Sequence, residues 1–248
     1  MQTCLIISYN KLMNLPRNKF NVCVTLVANS VDKLPFLFTK AVKKEANYVE
    51  IRFDHIIYKD IDRALVLSSE IKNKAIFTLR SKKEGGFFDG THREQVSLLK
   101  KMSKAKPMLL DIEYSIVKKD SEFWKFLKYN KVPILVSSHD FRKTPEVTSL
   151  LEKIKDMRKY SNYLKLVTTA RSFRDNLNFL SLYDNNKNTN LIAFAMGDLG
   201  VLSRLLCMLY GGAPFTYASL DNAVAPGQLD IVLMKKIFER VGNKLKNK

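Results

Sequence analysis

Eight short apolar runs, rich in β-branched residues, recur along the chain at 21–28, 48–52, 75–79, 108–113, 132–138, 163–167, 191–195 and 215–218. Within each run the apolar residues are nearly continuous rather than alternating, which suits strands covered on both faces in a parallel sheet. The stretches between them read as helices. Residues 60–72 carry Ile61, Ala64, Leu65 and Ile71. Residues 145–158 have Pro145 in the first turn and Val147, Leu150, Leu151 and Ile154 on one stripe. Residues 199–210 are strongly apolar, as for a helix pressed on a sheet. Eight strand–helix units in 248 residues predict one α/β domain, a (β/α)8 TIM barrel over residues 20–248. A doubly wound open sheet is the competing arrangement; the even spacing and the lack of a Gly-rich first loop disfavour it. Residues 1–19 read as a disordered N-terminal extension, and residues 235–248 as a basic tail ending in a frayed, solvated helix.

Charge and cysteine usage narrow the function. Lys and Arg outnumber Asp and Glu by 42 to 24, a formal net charge of +18. That points either to a nucleic-acid binder or to an enzyme for anionic substrates. Cys4, Cys23 and Cys207 are too scattered for a disulfide framework or a metal pair, and His55, His92 and His139 lack zinc-ligand spacing. A reducing cytosolic compartment is the default. No apolar run reaches the roughly 18 residues of a membrane span. The opening MQTCLIISYNKL lacks the basic start of a secretory signal, although the first acidic residue is Asp32 and a short targeting leader stays open.

In a barrel of this kind, side chains at the C-terminal strand ends form the site. Strand two ends Glu50-Ile51-Arg52-Phe53-Asp54, and alternation puts Glu50, Arg52 and Asp54 on one side. Strand three leads to Arg80 and Glu84-Gly85-Gly86, strand four carries Asp111 and Glu113, and strand five ends Ser137-Ser138-His139-Asp140-Phe141. Strand six holds Lys165, strand seven leads to Met196-Gly197 with Arg204 further on, and strand eight leads to Ala225-Pro226-Gly227-Gln228. Singly each has an ordinary structural explanation: a snorkelling lysine, a satisfied histidine, an interior ion pair, a surface arginine. Gathered at one mouth they are costly to bury unless they pair or bind something. Carboxylate-held magnesium is not excluded by composition.

Lys165 lies between Leu164 and Leu166 in mid-strand. A desolvated amine near arginines sheds its proton more easily and can attack a ketone to form an imine. His139 on the neighbouring strand can take the proton that such an imine acidifies and return one to a leaving hydroxyl. Arginines hold carboxylates by bidentate bonds. The set supports imine-assisted elimination or aldol chemistry on an anionic keto substrate.

From about Phe20 to Arg240 the chain resembles the type I 3-dehydroquinate dehydratases, (β/α)8 enzymes of the shikimate pathway in aromatic amino acid biosynthesis. The resemblance rests on E-x-R-x-D at Glu50, R-x3-E-G-G at Arg80, S-x-H-D-F at Ser137, the Lys165 strand, M-G-x2-G-x2-S-R at Met196 and A-P-G-Q at Ala225. It implies a hydro-lyase in which Lys165 forms a Schiff base with the substrate ketone, His139 acts as general acid and base, and Glu84 tunes His139. It implies that Arg204 clamps the carboxylate of 3-dehydroquinate and that Glu50, Arg52, Arg80 and Gln228 bind or orient ring hydroxyls and one another. Met196, Phe141 and Tyr217 would form an apolar wall, and the A-P-G-Q segment a closing loop. The same resemblance implies no cofactor or metal and a homodimer; with the cysteine usage the expected location is cytoplasmic, and without the second catalytic domain of some fused relatives dehydratase activity alone is expected. One position departs: four residues before the loop glutamine the family often has a small hydroxyl residue, and here stands Val224. The lid is expected to hold substrate with one polar contact fewer, a loss of roughly 0.5–1.5 kcal/mol.

Two alternatives remain at this point. A class I aldolase would share Lys165 without requiring the strand-five histidine, the arginine after strand seven and the loop glutamine together. A nucleic-acid module would account for the charge, but the lysines are spread along most helices without interleaved stacking aromatics. The excess reads instead as solvated surface charge that also steers an anionic substrate, with neither nucleic acid nor membrane as partner.

Overall fold

A computed structural model describes residues 20–246. Eight parallel strands, each followed by helix, curl into a nearly closed barrel: β1 Val22–Leu26, β2 Tyr48–Arg52, β3 Ala75–Thr78, β4 Leu109–Glu113, β5 Ile134–Asp140, β6 Tyr163–Thr169, β7 Asn190–Met196 and β8 Thr216–Ser219. The helices are α1 Leu34–Lys43, α2 Ile61–Leu67, α3 His92–Lys104, α4 Tyr114–Lys119, α5 Ser121–Tyr129, α6 Val147–Met157, α7 Arg174–Asp184, α8 Val201–Leu209 and α9 Ile231–Lys246. The eight expected runs correspond to the eight strands, shifted by one or two residues at some ends. Residues 1–19, the proposed extension, lie outside the described residues.

Ladders join neighbouring strands from β7 through β6, β5, β4, β3, β2 and β1 to β8. Among the described residues β7 and β8 share none. The seam between them is spanned by side chains and by α8: the Phe194 and Tyr217 rings lie 6.5 Å apart, and Thr216 Oγ1 donates to the Arg204 carbonyl at 2.9 Å. Strand alternation divides the residues between two surroundings. Ile51, Phe77, Ile112, Val136 and Leu166 are buried beneath the helices. The residues between them, from Glu50 to Lys165, face the barrel axis.

Three local readings need correction. The 60–72 stretch is not one helix. After α2 it continues as the 3-10 turns Ser68–Glu70 and Lys72–Lys74, and the Ser68 hydroxyl donates back to the Ala64 carbonyl at 2.7 Å. Such back-bonding competes with the helical ladder. Pro145 lies outside α6, because Glu146 is extended (φ −58°, ψ 149°) and the helix begins at Val147. The basic tail is not solvated throughout its first turns. Ile231, Met234 and Phe238, one stripe of α9, are buried, and Phe238 stacks on Phe20 at 5.1 Å. The expected fray at the very end of the tail, residues 247–248, lies outside the described residues.

Phe238→Ala should therefore destabilise the fold by about 3–5 kcal/mol, the usual range for a truncated core aromatic. Urea unfolding checks this, and a frayed tail would give a change near zero.

Candidate active site

The eleven side chains singled out from the sequence come together at the C-terminal end of the barrel. Glu50, Arg52, Arg80, Glu84, His139, Phe141, Lys165, Met196, Arg204, Tyr217 and Gln228 line one open pocket of about 610 Å³. The β5–β6 register sets Ser137 opposite Lys165 and His139 opposite Val167. The amine and the imidazole thus project on the same side of adjacent strands, two residues apart in height.

Lys165 is 6% exposed. Its Nζ donates to Glu50 Oε1 at 3.1 Å, lies 3.6 Å from Asp111 Oδ2, and sits 3.9 Å from the centre of the Tyr217 ring. The sequence reading put arginines beside this amine; its nearest charged neighbours are carboxylates. Glu50 also accepts from Thr25 and Thr78, each at 3.0 Å. Burial alone would raise the Glu50 carboxyl, but Lys165, Arg52 and Arg80 outweigh it and hold it down to about 2.

Arg80 reaches across the floor. It lies 2.8 Å from Asp111 and 3.5 Å from both Glu84 and Glu113, and it donates to Ser137 Oγ at 2.8 Å. Ser137 in turn donates to Asp111 Oδ1 at 2.6 Å. Glu113 accepts from the backbone and hydroxyl of Ser81, which holds the turn that presents Glu84. That turn ends at Gly85 (φ +76°), where a Cβ would come within 2.1 Å of the Phe141 ring. Glycine supplies the left-handed backbone and lets the β3 and β5 loops pack face to face. Arg52 is occupied as well: strand β2 ends there, and Asp54, on the following 3-10 turn, accepts two bonds from its guanidinium at 2.8 and 2.6 Å.

His139 Nδ1 lies 2.9 Å from Glu84 Oε2. Burial, reinforced by Arg80, Lys165 and Arg52, pushes this imidazole well below its usual range. Burial, with Glu113 and Asp111 nearby, raises the Glu84 carboxyl against the pull of Arg80.

Arg204 differs from every other cation of the pocket. It is 2% exposed, yet among the described residues no carboxylate lies within ion-pair distance. Its guanidinium stacks on the Phe194 ring at 4.4 Å and gives one bond, from Nη2 to the Pro226 carbonyl at 3.0 Å, while its buried Nε has no partner. Burial draws it down to about 10, so it stays charged at neutral pH. A buried unpaired cation is unstable unless an anion joins it.

The loop carrying Gln228 folds over this arginine. The Gly197 N–H donates to Pro226 O at 3.2 Å, and a Cβ on Gly227 (φ +69°) would meet Gly197 O at 2.4 Å, so only glycine permits the contact. Gln228 Oε1 accepts from the Val224 N–H at 2.9 Å, and Nε2 lies 3.4 Å from Thr25 Oγ1. The sequence reading left Thr25 and Thr78 out and gave Asp111, Glu113 and Ser137 no role. Their inward register beside Glu50 and Lys165 was the available signal. Among the described residues no group of three His, Cys, Asp or Glu is arranged to hold a metal.

The family model for type I 3-dehydroquinase matches residues 22–244. A 3-dehydroquinate dehydratase of Dehalococcoides mccartyi is 36% identical over 214 residues, covering 85% of this chain and 93% of that protein. One from Thermococcus onnurineus is 36% identical, covering 82% and 94%. The crystal structure of 3-dehydroquinate dehydratase from Geobacillus kaustophilus superposes with a TM-score of 0.82 at 24% identity, covering 91% of this chain and 92% of that one; at that identity the likeness bears on fold.

Because its titration is depressed, the His139 ring should stay uncharged at pH 6, below the ordinary value near 6.5 where a free imidazole is mostly protonated. Ring-nitrogen NMR across pH 4–8 checks the sign; protonation at or above about 6.5 would contradict it.

Proposed function

The chain belongs to the type I 3-dehydroquinase family, and on that premise we propose that it dehydrates 3-dehydroquinate to 3-dehydroshikimate through an imine on Lys165. The observation that carries the reading is Arg204, a buried guanidinium with no carboxylate of its own. The substrate carboxylate supplies the missing anion, and that anchoring sets the ring across the pocket with its ketone toward Lys165.

The Lys165 amine adds to the C3 carbonyl, and loss of water gives the protonated imine. Its positive charge develops between Glu50 and Asp111 and over the Tyr217 ring. Fixed opposite charge and an aromatic face stabilise such a cation at no cost in reorganisation. The iminium withdraws electrons from C2. His139 takes the C2 proton and the electron pair shifts toward nitrogen. The pair then returns to expel the C1 hydroxyl, which His139 protonates, forming water and the ring double bond. Hydrolysis of the conjugated imine frees the product and the amine. Glu84, bonded to Nδ1, orients the ring so that Nε2 faces the substrate. Arg52 and Arg80, each already held by carboxylates, present their remaining donors to ring hydroxyls. The Gln228 loop excludes water during the sequence. No cofactor or metal enters this scheme.

The same reading takes residues 20–248 as the dehydratase domain and 1–19 as an appended segment. It places the protein in a reducing cytosol, consistent with Cys23 and Cys207 as free buried thiols. It takes the molecule as a homodimer that covers the exposed Phe173, Leu177 and Leu199 on the α7–α8 face. No helix among the described residues is long and apolar enough to cross a membrane.

Borohydride reduction with 3-dehydroquinate, followed by mass spectrometry, is the decisive test. The expected adduct is on Lys165 and disappears, with turnover, in Lys165→Ala. An active enzyme with no adduct would overturn the imine, and no turnover by the intact protein would overturn the substrate. Arg204→Ala should raise KM roughly ten- to hundredfold with a smaller change in kcat, as for a lost charged hydrogen bond. An unchanged KM would put the carboxylate elsewhere.

A further inference from the structure

The pocket's closing loop is tied down at its base by a lysine from the far side of the β1–β2 connection. Lys44 follows α1 and is no part of the pocket. Its Nζ donates to the Leu220 carbonyl at 2.5 Å and lies 3.3 Å from both Asp221 Oδ1 and Asp230 Oδ2. Leu220 and Asp221 form the outgoing stem of the loop and Asp230 the returning one. One ammonium therefore holds both stems. Lys40, one helical turn earlier, reaches the other oxygen of Asp221 at 2.6 Å. Beside them the Ser219 N–H donates to Leu229 O at 2.9 Å, pairing the stems backbone to backbone, and Asp230 caps α9 through the Val232 N–H at 2.7 Å.

The tip is held differently. It meets the barrel through Pro226 O, at 3.0 Å from Arg204 and 3.2 Å from the Gly197 N–H, and through Gln228 at 3.4 Å from Thr25. These contacts are fewer than those of the base. A segment tied by more bonds at its base than at its tip takes its placement from that base. The height of the base then sets where Pro226 and Gln228 land over Arg204 and Thr25.

We propose that Lys44 is a positioning residue for the reaction: by clamping Leu220, Asp221 and Asp230 together it fixes the hinge of the 221–229 loop and so the seating of Gln228 over the bound substrate. The inference rests on the dehydratase reading of the pocket. Lys44 touches no reacting atom and acts only through the loop.

The test compares the intact protein with Lys44→Met, Lys44→Arg and Lys235→Met. Methionine keeps the stem without the charge, arginine restores a cation, and Lys235 holds Glu45 in a nearby ion pair that bypasses the loop. In Lys44→Met, amide exchange across 221–229 should quicken and KM for 3-dehydroquinate should rise about tenfold, with kcat changed less and the melting temperature nearly unmoved. Lys44→Arg should recover most of both changes, and Lys235→Met should show neither. Unchanged exchange in Lys44→Met overturns the clamp. Equal effects in Lys235→Met, or no recovery with arginine, assign the change to general loosening and overturn it too. If the intact protein does not turn over 3-dehydroquinate, the dehydratase reading fails, and the exchange comparison still decides on the clamp.

Discussion

Mutual neutralisation of buried charge is the constraint around which the barrel mouth is arranged. Arg52, Arg80 and Lys165 are sunk among Glu50, Asp54, Glu84, Asp111 and Glu113, and none of these ions would be tolerable there alone. The pairing is not symmetrical. Arg80 is engaged by three carboxylates, Arg52 by one bidentate partner, Lys165 by two, and Arg204, among the described residues, by none. Charge is thus matched at Arg52, Arg80 and Lys165 and left unmatched at Arg204, among the described residues, so an anion is what this part of the pocket is short of.

Saturation of the floor has a second effect. Glu50 receives bonds from three strands, through Thr25, Thr78 and Lys165, and Arg80 links the Asp111 and Glu113 strand to Ser137. Side chains tied this way have little rotamer freedom left to lose when a ligand enters. The Lys165 amine is held by polar contacts that come from the barrel's own register, and the His139 imidazole by Glu84 from the turn after β3.

Much of this was legible in the sequence because burial on both faces leaves an unbroken apolar run, and any charged residue inside such a run stands out. Glu50 and Lys165 stand out for that reason, and Arg80 and His139 because each directly follows the end of such a run. Which carboxylate meets which cation was not, since Lys165 and Glu50 are 115 residues apart and meet only through the tilt of strands around the cylinder. Thr25 and Thr78 were invisible because a threonine in a strand needs no special explanation. The last helix was misjudged for the opposite reason: its lysines dominate the composition, while Ile231, Met234 and Phe238 carry the packing. The end of α2 turned on one serine hydroxyl that pattern alone does not weigh.

The unlaced edge between β7 and β8 has one more consequence. Beside it sits Arg204, rooted in α8 and stacked on Phe194 of β7, while the Lys165 amine comes from β6 and the Gln228 amide from the loop after β8. Three anchors that approach along different directions cannot all be reached by a molecule and by its mirror image. On the proposed dehydratase reading, a ligand that engages all three is therefore chosen by its handedness.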